Sequence, residues 1–284
     1  MASNNILKEE NLPKTFSLCT FNCQGLKSNI KYTETLIISH DITFLCEHWI
    51  SKLEYSIIKN ICKNSHSLYF SQANKHEQSR PFGGNAFFIR KNQFQNIISL
   101  YEDENIFVIK LKKNYIDIIV VGIYLTLSRN NQKSLEKYKS QLDILKGIIN
   151  SHKGNGEVII LGDFQSFPHG IYDLFERTSS KRNNYSLILS EFIESNELEL
   201  VDVTKGSGPA ITYQHLTLLN TSYIDHIAIS KHTSLLVYKC IVNSPFFQNV
   251  SDHLPLSISI GIKGHYSQKR SLFTRKYKQN NRGL

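Results

Sequence analysis

No stretch of this chain is apolar for long enough to cross a bilayer. The longest apolar run, 116–127, is interrupted by Asp117, and a spanning helix needs roughly 20 such residues. The opening residues, MASNNILKEENLPK, are polar and mixed in charge, without the apolar centre of a secretory signal. No membrane partner is expected, and a nuclear or cytoplasmic location is expected rather than secretion. Cys-x-x-Cys pairs are missing too. The five cysteines (19, 23, 46, 62 and 240) are odd in number, which excludes a fully paired disulfide framework and argues against a zinc ribbon. Cys19 and Cys46 lie in apolar runs, where a reduced cysteine acts as a small hydrophobe in a reducing compartment. There is no internal repeat of fixed period. Acids are absent from 263–284, which holds seven of the 33 Lys/Arg. The preceding 262 residues therefore balance 26 basic against 24 acidic residues, so the net charge of +9 sits largely in the tail. Such a tail reads either as a solvated linker or as a contact to phosphate backbone or a localisation signal.

What is present is a globular composition, 40% apolar and 20% charged, in a pattern of many short strands with a few helices. Residues 1–14 read as a disordered leader, 15–262 as one domain and 263–284 as a basic tail or linker. Apolar runs and turn residues predict strands over 16–21, 41–46, 67–71, 86–89, 97–101, 106–111, 116–125, 158–161, 224–229, 235–242 and 256–262, with a turn at 112–114. Helices are predicted over 29–39, 133–151 and 185–195. The second of these places Leu135, Tyr138, Leu142, Leu145 and Ile149 on one face. Helices after the first and the middle strands argue for an α/β fold in which two sheets pack face to face with helices outside.

The strands end in chemistry. Asn22, Glu47, Tyr124, Asp163 with Gln165, and the pair Asp252–His253 each lie at or near a strand end, and Asp225 begins another element. Each has an ordinary explanation: a turn cap, a surface acid, a core aromatic, a helix cap. Together, acids, an amide and a histidine at strand ends are what phosphodiester hydrolysis needs. One carboxylate holds a hard Mg²⁺, another acid handles a proton, and a histidine oriented by an acid meets the phosphate.

Taken in order, the motifs FNCQG, LCEHW, GIYL, LGDFQS, ITYQ, SYIDHI and SDHLP resemble those of the endonuclease/exonuclease/phosphatase family. Within it, FNCQGL, EHW, GGNAFFIRK and the compact TYQ…SYIDHI stretch most resemble the apurinic-type endonuclease domains of non-LTR retrotransposons. The resemblance implies a four-layer α/β sandwich, two packed mixed β-sheets flanked by helices, and metal-dependent cleavage of phosphate esters. It implies that Glu47 binds the metal, Mg²⁺ or alternatively Mn²⁺, with Asn22 beside it and Asp252 near it. Tyr124 would contact the scissile phosphate, Asp163 would position or activate water, and Asp225 would orient His253. Ser222 and Thr212 match positions near the phosphate. Two residues depart from the family pattern. Gln165 stands where Gly-Asp-x-Asn has asparagine, which bears on activity because that amide is expected to grip the phosphate. Tyr223 stands where the retrotransposon Ser-Arg-Ile-Asp form has arginine.

The leading expectation is a Mg²⁺-dependent DNA endonuclease that nicks one strand and leaves a 3′-hydroxyl to prime reverse transcription, with DNA as partner and a reverse transcriptase domain encoded downstream. The alternatives are a catalytically weak or inactive nucleic-acid-binding module, motivated by Gln165 and the basic tail, and a phosphatase acting on a small phosphoester such as an inositol phosphate.

Overall fold

Layering starts with the first strand, which is apolar on both faces. In β1 (Thr15–Asn22), Phe16 and Leu18 enter one apolar cluster while Cys19 and Phe21 enter another, as a two-residue period demands. The computed structural model describes residues 15–75, 79–127, 129, 131–171, 183–233 and 235–262. The expected leader 1–14 and tail 263–284 lie outside the described residues.

Helix α1 (Leu26–Ser39) crosses from β1 to β2 (Ile42–Cys46), which pairs parallel with it. A 3₁₀ turn (Lys52–Glu54), helix α2 (Tyr55–Asn60), β3 (His66–Ser71) and β4 (Asn85–Arg90) follow. Three antiparallel strands come next: β5 (Gln95–Glu102), β6 (Ile106–Lys113) and β7 (Ile116–Tyr124). Helix α3 (Gln132–His152), capped by the Asn131 side chain accepting from Ser134 N, crosses to β8 (Glu157–Asp163), parallel to β7. Then come α4 (Asn184–Ser195), β9 (Leu198–Leu200), α5 (Val201–Thr204), β10 (Gly206–Ser207) and the small hairpin β11 (Tyr213–Gln214) and β12 (Thr221–Ser222). The last strands are β13 (Asp225–Ser230), β14 (Leu235–Val242) and β15 (Leu256–Ile262).

One sheet has the order β10-β14-β15-β1-β2-β4-β3 and the other β5-β6-β7-β8-β13-β9. Their inner faces share a core that includes Leu18, Phe44 and Phe87 from the first and Val121, Ile160 and Ile227 from the second. Tyr138 and Leu142 of α3 and Leu189 of α4 cover the second sheet, while Leu36 and Ile37 of α1 and Ile58 of α2 cover the first. This is the expected four-layer α/β sandwich. Gly122 lets the sheets approach, because a Cβ there would fall 2.2 Å from the ring of Phe44 across the interface.

Each sheet has a parallel strand pair joined by a crossover helix, flanked by an antiparallel return. The carboxyl ends of β1, β2, β7 and β8 and the amino ends of β13 and β15 are thereby gathered at one edge. The registers Asn22↔Cys46, Tyr124↔Asp163 and Asp163↔Asp225 fix that edge.

Differences from the sequence expectations are local. The first helix starts at Leu26, three residues before the expected Asn29. The hairpin expected to turn at 112–114 keeps Lys112 and Lys113 in β6 and turns at Asn114–Tyr115, both at positive φ, 50° and 68°. Two successive left-handed residues match the twist of a tight hairpin. The short pieces α2, α5 and β9 to β12 carry too few residues for a periodic signal. Among the described residues no helix is long and apolar enough to cross a membrane.

Candidate functional site

The turn before β15 is tied to β1 and to the small hairpin. The Ser251 hydroxyl donates to the carbonyl of Asn22 at 2.7 Å, and His253 N donates to the same hydroxyl at 3.1 Å. Gln214 N donates to Asp252 O and Leu254 N to Thr212 O. This fixes the buried His253 ring between the sheets. Its Nδ1 lies 2.8 Å from Asp225 Oδ2. Its Nε2 lies 3.4 Å from Asn22 Nδ2, 3.8 Å from Asp163 Oδ2 and 3.7 Å from Asp252 Oδ1. Burial alone would lower the imidazole pKa, but the charge of Asp225 with its hydrogen bond, and the charges of Asp163 and Asp252, outweigh it and hold the value up at about 9. The carboxylates around the ring thus favour its charged form, and Asp225 fixes which nitrogen faces away from the shared space.

Asp163 is fully buried at the end of β8. Burial first, and the Asp225 charge second, push its carboxyl up to about 7, against the opposing effects of His253, Asn22 and the Gln165 backbone. Asn22 Nδ2 donates to its Oδ2 at 3.1 Å and Gln165 N to its Oδ1 at 2.9 Å. The Gln165 side chain curls back, with Nε2 donating to Asp163 Oδ2 at 2.8 Å. The amide at this departure from the family pattern is thus committed to the acid.

Glu47 follows β2 at φ 56°. Its Oε2 accepts from the Trp49 indole N–H and from Gly83 N. Burial, followed by the charge of Glu47 and a hydrogen bond to it, drives the Tyr124 phenol far above its ordinary value, so Tyr124 stays protonated beside Glu47. A groove of about 570 Å³ opens here, lined among others by Glu47, Glu104, Tyr124, Arg129, Lys133 and Lys137. A cavity of similar size, lined among others by Asp117, Gly156 and Glu157, sits at the opposite ends of β7 and β8 and is no part of this centre.

Direct contacts therefore join Asn22, Asp163, Gln165, Asp225, Asp252 and His253, with Glu47 and Tyr124 paired at the mouth. Thr212, expected near the phosphate, is buried, and its hydroxyl oxygen accepts from Ile224 N and Asp225 N. It supports Asp225 from the backbone side. Ser222 is exposed on β12, opposite Tyr213. Tyr223 is buried and packs edge-on against Phe167, so this departure from arginine anchors the core.

Sequence reasoning missed a second buried acid–histidine pair. His226 Nδ1 lies 2.8 Å from Asp202 Oδ2 and its Nε2 lies 3.2 Å from Ser166 O, bracing the loop that carries Gln165. Alternation along β13 was the available signal: adjacent residues face opposite ways, so His226 turns away from the side where Asp225 meets His253. His48 was likewise visible only as part of EHW. Its Nδ1 accepts from Ile50 N at 3.0 Å, and its Nε2 lies 3.0 Å from Ser71 O.

The donor set suits a hard divalent ion. Asp252 Oδ1 is buried without a hydrogen-bond partner, and a cation satisfies such an oxygen. Donor atoms of Asp163, Asp225 and His253 lie within 4.8 Å of one another. A hydrogen already occupies the line between Asp225 and His253 Nδ1, so ligation falls more naturally to carboxylate oxygens.

The family model described as Endonuclease/Exonuclease/phosphatase family matches residues 19–253. No curated protein matches the chain. Among solved structures, a 3′-5′ exonuclease from Neisseria meningitidis superposes with a TM-score of 0.63 at 15% identity, covering 85% of this chain and 98% of that one. An AP endonuclease from Leishmania major gives 0.64 at 12%, covering 87% and 88%. An AP endonuclease from Archaeoglobus fulgidus gives 0.64 at 14%, covering 86% and 98%. At these identities the likeness is one of fold.

Proposed function

The chain belongs to the endonuclease/exonuclease/phosphatase family, and on that premise we propose that it is a divalent-metal-dependent DNA endonuclease that nicks one strand and leaves a 3′-hydroxyl. The observation that carries this is the His253 ring, held on one nitrogen by Asp225 and presenting the other to the space shared by Asp163, Asp252 and Asn22. That space suits a phosphate oxygen: a ring nitrogen oriented by a carboxylate on one side and an acid able to take a proton on the other. Solved neighbours titled AP endonucleases, and the Neisseria enzyme described bound to product DNA hairpin, favour DNA as the substrate. So do Arg129 and Lys133 along the groove beside Glu47, where Lys137 is paired with Glu104 at 3.7 Å.

In this reading water attacks phosphorus as Asp163 takes its proton, the P–O3′ bond opens, the 3′-oxygen leaves and is protonated from solvent, and His253 donates to a non-bridging phosphate oxygen. Tyr124, whose hydroxyl is bonded to Glu47 here, would turn that one donor to the phosphate from the groove side. Asn22 and Gln165 orient the Asp163 carboxylate. Glu47 and Asp252, with Asn22 beside them, would hold the ion. Mg²⁺, or Mn²⁺ in its place, supplies charge neutralisation on the phosphate. The motif resemblance supports a retrotransposon origin, in which the nick primes a reverse transcriptase encoded downstream. The domain spans 15–262 in this reading, with 263–284 as a separate basic segment.

A second reading is a weak or inactive nucleic-acid binder, favoured by the Gln165 amide being spent on Asp163. One experiment separates these readings. Supercoiled plasmid is incubated with the full chain in Mg²⁺ or EDTA, and phosphate release from inositol phosphates is followed alongside. The endonuclease reading expects open circles in Mg²⁺ only, extendable by a polymerase without end repair. Binding without nicking would support the second reading, and release from inositol phosphates alone would support a phosphatase.

A further inference from the structure

The loop between β14 and β15 carries two aromatic residues that the reaction does not use. Phe247 is 82% exposed and Phe246 46% exposed. Their rings lie 4.6 Å apart between centroids. Phe246 stacks on Tyr32 at 5.8 Å and 23°, and Tyr32 meets the buried Phe21 edge-on at 5.6 Å. A continuous aromatic column thus runs from the core of β1 through α1 to solvent. Just past Phe247 the loop is tied twice: Asn249 Nδ2 donates to His253 O at 2.8 Å, and Val250 N donates to Asn29 Oδ1 at 2.9 Å. Phe247 is thus two residues from an asparagine bonded to the His253 backbone, and its ring rests on Phe246.

Resting on the phosphodiesterase reading, we propose that Phe247, backed by Phe246 and Tyr32, is a stacking platform for a nucleobase next to the phosphodiester held at His253. Aromatic rings beside a phosphate-handling centre suit nucleic acid because every base has a π-face, and stacking tolerates any sequence. The alternative of a protein partner is short of area. Two phenylalanines bury at most roughly 500 Å², well short of the roughly 800 Å² that one side of a stable protein interface needs.

The test measures binding of a fluorescein-labelled DNA oligonucleotide, single-stranded and duplex, to the full chain in Ca²⁺ by fluorescence anisotropy. Variants are Phe247→Ala, Phe247→Leu and Phe247→Trp. The control is Tyr115→Ala, which removes a 95% exposed aromatic at the far end of β7. Phe247→Ala and Phe247→Leu should weaken binding alike by at least about fivefold, ~1 kcal/mol. Phe247→Trp should stay within about twofold of the natural protein, and Tyr115→Ala should change nothing. The proposal fails if leucine binds as well as phenylalanine, if alanine has no effect, if the natural protein does not bind the oligonucleotide, or if sedimentation shows that Phe247→Ala splits a dimer. Hydrolysis of bis(p-nitrophenyl) phosphate by the natural protein in Mg²⁺ is followed in parallel. Phe247-dependent binding without hydrolysis would sink the hydrolase reading and leave the platform standing. Hydrolysis with Phe247-independent binding would do the reverse.

Discussion

Gln165 sits in the left-handed region at φ 58°, a conformation asparagine adopts more readily than glutamine. Its amide occupies the same Asp163 oxygen that Asn22 holds. Gln165→Asn retracts the amide by about 1.5 Å and relaxes the backbone. Displacement of about 1 Å at a reacting centre can cost about 100-fold, so partial recovery is expected. Single-turnover cleavage should rise at least about tenfold, ~1.4 kcal/mol of barrier; an equal or slower rate would mean that the centre is organised around glutamine. Asp225 and His253 should act as a unit. Asp225→Asn and His253→Ala are each expected to cost at least about 100-fold, and the double variant little more. Losses that multiply would show independent roles. The sequence exposed these residues as strand-end acids and a histidine, and the family pattern assigned their partners. It did not reveal where the Gln165 amide goes. That depends on the Asp163 carboxylate, which is oriented by Asn22 from 141 positions away, and no local pattern encodes such a contact.

At the scale of elements, the segment after β2 rests on His48. Its ring is buried, stacks on Phe70 and lies against Gly84, where a Cβ would come within 2.3 Å of it. Because Nδ1 accepts from the Ile50 N–H, protonation there breaks the hydrogen bond. Burial pushes the pKa down to about 4, although the backbone hydrogen bonds to Ser71 and Asn85 oppose it. A histidine depressed in the folded state contributes stability that is present above about pH 6.5 and lost as pH falls toward 4. Urea unfolding should therefore show a loss on the order of 3 kcal/mol across that window from His48. His40 and His66 are also lowered, so the contribution is isolated by His48→Gln, which should flatten the acid limb. An unchanged slope would contradict it. Gly84→Ala should cost about 2 kcal/mol, since it adds the clash to a backbone at φ 89°. The long strands and helices were legible because their apolar period runs unbroken. The pieces between 198 and 222 were not, since two to four residues set no period and tertiary pairing alone defines them.

At the scale of the whole molecule, the two sheets were legible because β7 and β8 are buried on both faces, and the crossover helices follow from the order of elements. The edge that gathers the strand ends follows from the parallel pairs. The uneven charge between 1–262 and 263–284 is also a property of the whole sequence. Deleting 263–284 should weaken DNA binding and reduce its salt dependence by roughly 0.9 log unit for each phosphate the segment neutralises, whereas identical salt titrations would leave the segment a linker. The central claim is that this edge forms one metal-dependent hydrolytic centre. The most direct measurement is plasmid nicking against Mg²⁺ concentration by the natural protein and by Glu47→Gln, with circular dichroism confirming that both are folded. The account predicts saturable, EDTA-sensitive nicking by the natural protein and a loss of at least about 100-fold, ~2.7 kcal/mol of barrier, in the variant. Nicking that survives EDTA, or a Glu47→Gln variant as fast as the natural protein, would contradict it.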